Sequence, residues 1–136
     1  MPSEREHLQV VWDRDCRCTA QARSGDTIDV GPGARWSPEQ LFVAGVESSL
    51  MSVFLRLAQD AGVEILGYVS AAESTLDLNA LRPSIVVRPC IVVDSEEDRR
   101  RVLRLLSNVA EASPIARALG SAVSIDAEVV AFAPTP

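Results

Sequence analysis

The stretch SPEQLFVAGVESSLMSVFLRL, Ser37 to Leu57, limits the possible folds of this chain more than any other. Leu41, Phe42, Val43, Val46, Leu50, Met51, Val53, Phe54, Leu55 and Leu57 fall around nearly the whole circumference of a helix, so the helix is expected to be buried on most sides. Ser37 is a natural cap for it. Pro38 stands at the first helical position and Gln40 three residues after the cap, which makes a capping box, and Gly62 supplies the C-terminal stop. Glu47, Ser48 and Ser49 interrupt the apolar run. Buried polar groups are costly unless paired or used, so these three are either a satisfied piece of core or part of a reaction centre.

The rest of the chain must cover that helix. HLQVVWD, CRCTAQA and DTIDV alternate in short bursts and predict a small antiparallel meander, ended by GPGARW. ILGYVSAAESTLDL and SIVVRPCIVVDS, rich in β-branched residues and separated by Asn79 to Pro83, predict two long strands, with Pro89 placing the second at an edge or a bulge. Ser95 caps a second helix, EEDRRRVLRLLSNVAEA, with Val102, Leu103, Leu105, Leu106 and Val109 on one broad face and the RRR run as its solvated face. A short helix, PIARALG, follows Ser113, and AVSIDAEVVAF closes the chain as a strand. The order β-β-β-α-β-β-α-α-β is an α+β pattern in a single domain, residues 1–136. A domain this small has few ways to surround an all-apolar helix; a second copy of the chain could do it, so an obligate homodimer is expected.

Composition narrows the function. A length of 136 residues with 47 % hydrophobic residues is enough for a real core. Thirteen basic against nineteen acidic side chains give a formal net charge of -6, which lacks the positive field that holds phosphate backbones and argues against nucleic acid. No run reaches the roughly eighteen uninterrupted apolar residues of a membrane span, and MPSEREHLQVVWD is too charged for a signal peptide. Three cysteines, Cys16, Cys18 and Cys90, cannot all pair within one chain, which fits a reducing, cytoplasmic setting. His7 is the only histidine, so no metal site and no cofactor is expected.

The run SPEQLFVAGVESSLMSVFLRLAQDAGVEI, followed by GYVSAAESTLD and NVAEASPIARALGSAVSIDAEV, resembles the OsmC/Ohr family of osmotically inducible and organic hydroperoxide resistance proteins, from about Gly31 to Val130. The resemblance implies an intertwined homodimer, two β-sheets around two long central helices with two active sites at the subunit interface. It also implies a two-cysteine peroxidase. The first cysteine's position on the PEQLF helix falls at Ser49, and the second, just before a Pro at a short helix, falls at Ser113. Both are serine. A peroxidatic cysteine attacks as a thiolate, becomes a sulfenic acid and is resolved as a disulfide, and a serine hydroxyl can do none of these. The resemblance further makes Glu39 the partner of an arginine from the N-terminal hairpin, Arg17 or alternatively Arg14.

The expected function is therefore that of a relative of the hydroperoxide-detoxifying, oxidative-stress proteins without thiol peroxidase activity, binding a small hydrophobic molecule at the dimer interface. One alternative is an active organic hydroperoxide reductase using Cys16 or Cys18, which flank Arg17 and share one face of their strand. A second is a serine hydrolase built on Ser49. No G-x-S-x-G elbow is present, Glu47 points about 200° away from Ser49 on the helix, and His7 would have to act as base from the N-terminal segment. Bland roles stand beside each: Glu39 complements the helix dipole, Ser113 caps a helix, Ser49 bonds back to the carbonyl four residues earlier, and Cys90 fills core. Glu47 has no easy bland role. The family pattern has a small residue there, and a carboxylate on this helix needs solvent, a partner or a raised pKa.

Overall fold

The computed structural model describes residues 5–13, 17–75 and 83–132. They divide into two compact units, residues 1–42 and 43–136.

In the first unit β1 (Leu8–Asp13), β2 (Arg17–Ala22) and β3 (Thr27–Asp29) form an antiparallel sheet in the order β1-β2-β3. This is the expected meander. The register sets Leu8 opposite Ala22, Val10 opposite Ala20, Trp12 opposite Cys18 and Ile28 opposite Ala20. Because directly opposed residues share a face, Leu8, Val10, Trp12, Cys18, Ala20, Ala22 and Ile28 line one apolar face. Leu8, Val10, Trp12 and Ile28 are all more than half exposed there. Gly31, at φ 79, turns the chain out of the sheet; a Cβ on it would also crowd Cys18 at 3.3 Å. The capping box closes as expected: the Ser37 amide donates to Gln40 Oε1 at 2.8 Å and the Gln40 amide to Ser37 Oγ at 3.1 Å.

The long helix α1 (Pro38–Asp60) runs from that cap. It ends as Gly62 predicts, with φ 71 at Gly62, the Val63 amide bonding to the Ala58 carbonyl and the Gly62 amide to Gln59, a Schellman closure. Burial within one chain is narrower than its sequence suggests. Val46, Leu50, Val53, Phe54 and Ala58 are buried, whereas Phe42 and Leu55 are exposed. One stripe is thus satisfied within the chain. By length and composition alone α1 could cross a membrane, but its buried stripe belongs to a protein core shared with strands and a second helix.

That core lies in the second unit, where β4 (Gly67–Thr75) pairs antiparallel with β5 (Ser84–Val93). Ile85, Val87, Pro89, Ile91 and Val93 face inward, and opposite them stand Tyr68, Ser70 and Ala72. Pro89 corrects the expectation of an edge strand. β5 is central, and the closing strand is two strands: β6 (Val123–Ile125) runs parallel to Ile85–Val87 and β7 (Glu128–Ala131) to Cys90–Val93. The break at Asp126 and Ala127 falls beside Arg88 and Pro89, so the proline's missing N–H meets a gap in the neighbouring strand. Cys90 is also corrected: it is a half-buried free thiol on the opposite face from the core row.

Helix α2 (Glu96–Ala112) is capped by Ser95, whose Oγ accepts from the Asp98 amide, and buries Val102 and Val109. Leu103 departs from the expected face because it lies a further 100° round the helix, and it is 43 % exposed. The RRR run is more than a solvated face. Arg99 Nε donates to the Val129 carbonyl at 3.1 Å and its Nη1 pairs with Glu96, while Arg101 pairs with Asp98 and donates to the Ala61 carbonyl beyond the end of α1. Only Arg100 of the three is exposed. Helix α3 (Pro114–Leu119) and a single 3-10 turn, Gly120–Ala122, complete the chain path to β6.

Candidate functional site

The second unit brings together two of the sequence-predicted residues. Ser49 Oγ and Ser113 Oγ lie 2.7 Å apart although 64 residues separate them. Ser113 is fully buried, and its position follows from local structure. Its amide bonds to Val109 as the C-cap of α2, and its Oγ accepts from the Ala116 amide at 3.3 Å as the N-cap of α3, with Pro114 at the first position of that helix. A residue that closes one helix and opens the next is held in place, and Ser113 is thereby fixed against α1. The predicted capping role is present together with the contact to Ser49.

Ser49 itself does not bond to the carbonyl behind it. Ser48 does so instead, donating from Oγ to the Gly45 carbonyl at 3.2 Å, while Ser49 spends its hydroxyl on Ser113. Both hydroxyls are satisfied, and among the described residues no buried side-chain nitrogen or oxygen lacks a partner. The hydrogen-bond partner of Ser49 is another hydroxyl, which cannot take its proton at neutral pH, so nothing bonded to it activates it as a nucleophile.

Glu47 has found the partner its position demands. Ser70 Oγ, on the inward face of β4, donates to Glu47 Oε2 at 2.7 Å. The two side chains line a cleft of about 280 Å³ together with Ala44, Ser48, Met51 and Tyr68. The Tyr68 ring rests on Phe54, centroids 5.8 Å apart and tilted by 35°. Burial, and secondarily the negative charge of Glu47, pushes the Tyr68 hydroxyl above its ordinary 10.0. Ser70 and Tyr68 were invisible as site residues in the sequence, because only the pairing of β4 with β5 decides which of its residues face α1.

The other candidates fall in the first unit. Glu39 lies in the first turn of α1 and is exposed, a position that complements the helix dipole. The backbone of Arg17 begins β2; Arg14 and Cys16 lie outside the described residues. Cys18 is a half-buried free thiol on the apolar face of the sheet, and His7 is exposed just ahead of β1. A second cleft, of about 390 Å³, is lined by Ile28, Asp29, Arg35, Trp36 and Leu41. Among the described residues no three His, Cys, Asp or Glu side chains are grouped to hold a metal ion.

The family model described as OsmC-like protein matches residues 31–128. None of the curated proteins matches the chain. Among solved structures, an OsmC-like protein from Mycoplasma pneumoniae superposes with a TM-score of 0.76 at 14 % identity, covering 96 % of this chain and 99 % of that one. An organic hydroperoxide resistance protein from Legionella pneumophila gives 0.68 at 16 % identity, covering 97 % and 100 %. The organic hydroperoxide resistance protein OhrB of Bacillus subtilis gives 0.62 at 20 % identity, covering 93 % and 98 %. The structural likeness fixes the α+β fold over nearly the whole chain and the family model covers most of it: the chain belongs to the OsmC-like protein family.

Proposed function

We propose that this chain is a member of the OsmC/Ohr group, related to organic hydroperoxide detoxification and the oxidative stress response, that no longer carries out the thiol reaction and binds a small hydrophobic molecule. The observation that carries this reading is the contact of Ser49 Oγ with Ser113 Oγ at 2.7 Å. Hydroperoxide reduction by a cysteine pair needs one sulfur to take an oxygen and lose water to a second sulfur that can reach it. The reach is preserved here and the sulfur is not. A cleft walled by Trp36, Ile28 and Leu41 supports retention of an apolar ligand.

The assembly belongs to the same proposal. Leu8, Val10, Trp12 and Ile28 share an exposed sheet face, and on α1 Phe42 is exposed one turn before the buried stripe and Leu55 on the side away from it. These surfaces exceed the scattered single apolar residues of an ordinary monomer, and a second copy related by a two-fold axis is their occupant. Sedimentation of the full chain should give a dimer; a monomer at micromolar concentration would overturn this part.

The reaction is tested by cumene hydroperoxide consumption with a dithiol reductant, comparing the parent with its Ser49→Cys, Ser113→Cys double variant. The expected result is an inactive parent and a variant that turns over, giving alcohol, water and oxidised dithiol. A parent that already turns over would overturn the reading and move attention to Cys16 and Cys18. Ligand binding is read separately, as a rise in Tm of the parent with an apolar molecule.

A further inference from the structure

α1 ends without a cation of its own. Its last turn holds no basic residue and closes on Asp60, although the carbonyls left free at a helix C-terminus favour a positive charge. α2 supplies that charge. Arg101 donates from Nη2 to the Ala61 carbonyl just past the end of α1, and Asp98, one turn earlier, pairs with the same guanidinium at 3.5 Å. Asp98 is fixed in turn, because its amide closes the Ser95 cap. A line of polar contacts therefore runs from the start of α2 to the stop of α1.

The other tie between these segments is the Ser49–Ser113 contact at 2.7 Å. Among the described residues these two are the hydrogen bonds that join α1 and its C-terminal turn to the α2–α3 segment. Their spacing matches. Ala61 lies twelve residues after Ser49 and Arg101 twelve before Ser113, so the two helices run in opposite directions between ties about 18 Å apart along each. Between the ties, Val102 and Val109 of α2 are buried in the same core as Leu50, Phe54 and Ala58 of α1. Apolar contact is non-directional and holds two rods together without fixing how far one has slid along the other. Directional bonds at both ends fix that.

We propose that Arg101 is a positioning residue for positions 49 and 113: by holding α2 to the end of α1, it sets the register in which residue 113 meets residue 49. The inference rests on the reading of these positions as those of a reacting cysteine pair. Arg99 provides the contrast. It lies two residues away and its side chain is almost equally exposed, but it ties α2 to the Val129 carbonyl of β7 and to Glu96. Arg99 holds the helix to the sheet, Arg101 holds it to α1, and only the second tie bears on the register of the pair.

The test is the effective concentration of one thiol toward the other in the full-length Ser49→Cys, Ser113→Cys variant. It is measured by equilibration with glutathione under native conditions and read on the peptide that links positions 49 and 113. Each closure oxidises two thiols to one disulfide while one oxidised glutathione becomes two reduced molecules. Adding Arg101→Gln should lower the effective concentration at least about tenfold, since a displacement on the order of 1 Å between reacting groups costs up to about a hundredfold. Adding Arg99→Gln should change it less than about twofold, even where it lowers Tm as much. Arg101→Lys, which keeps a charged donor, should lie closer to the parent pair than Arg101→Gln does. A smaller fall with Arg101→Gln, an equal fall with Arg99→Gln, or a lysine no better than glutamine would each overturn the proposal. Failure of the parent pair to close at all would overturn the reading of the two positions together with this inference; a pair that closes and ignores Arg101 overturns this inference alone.

Discussion

Two hydroxyl contacts leave opposite sides of α1, and they differ in kind. On one side Ser49 meets Ser113 at 2.7 Å, a contact between neutral groups in which Ser113 is fully buried and also caps a helix. On the other, Ser70 meets Glu47 at 2.7 Å, a contact to a carboxylate in an open cleft. In the first, each group is already satisfied and no acid, base or charge remains to act on a ligand. In the second, the carboxylate keeps acceptor capacity and is uncompensated by any cation of the described chain. The first side is neutral and internally satisfied; the second carries a charge whose only bonded partner in the described chain is a hydroxyl.

The sharpest way to break that contrast is to place sulfur on the closed side. Ser49→Cys with Ser113→Cys should form a disulfide on oxidation, because side chains whose Oγ atoms touch have Cβ atoms near the separation a disulfide needs. Closing a loop of this length should raise the stability of the oxidised over the reduced form by about 2–4 kcal/mol, measured by denaturant unfolding with and without dithiothreitol. Equal stability of the two forms would mean the sulfurs do not meet. A smaller effect comes from Ser113→Ala, which removes the α3 cap and strands the Ser49 hydroxyl. It should cost about 1–2 kcal/mol, and the Ser49→Ala, Ser113→Ala pair should cost less than the sum of the single changes.

Much of this was legible in the sequence, for reasons that are local. The capping box at Ser37, the stop at Gly62, the caps at Ser95 and Ser113 and the three-strand meander depend on residues within a few positions of each other, and all are present. What was not legible depends on pairing over distance. Pro89 spoke for an edge or a bulge, yet the neighbouring strand breaks beside it and leaves β5 central. Arg99 and Arg101 read as solvated, yet they reach the carbonyls of Val129 and Ala61. Glu47 was recognisable as anomalous because a carboxylate interrupts an apolar helix. Its partner was not, since either face of β4 could have turned inward.

On the open side the next effect in size is that of Ser70→Ala. It leaves the Glu47 carboxylate without its donor, and because the pair is only partly buried, water replaces much of what is lost. A cost of about 1 kcal/mol is expected in urea unfolding. Glu47→Gln should cost less than that, since an amide oxygen still accepts from Ser70. If instead Glu47→Gln were the more damaging change, the charge would be serving the fold and the contrast between the two sides of α1 would fail.

The smallest effect separates the sides by pH. Folding holds the Tyr68 proton more tightly than the unfolded chain does, chiefly through burial and secondarily through the charge of Glu47. For a raised value the associated stabilisation is complete below the unfolded pKa of 10.0 and is lost as pH rises from there through the folded value. Unfolding free energy followed upward from pH 9 should therefore fall less steeply in Tyr68→Phe, which has no proton to lose, than in the parent. Glu47→Gln removes the lesser cause and should fall between the two. Ser49→Ala, on the closed side, should follow the parent's pH dependence throughout, because neither Ser49 nor Ser113 titrates. If Ser49→Ala altered the alkaline slope as much as Glu47→Gln did, the two sides of α1 would be coupled and could not be treated as separate sites.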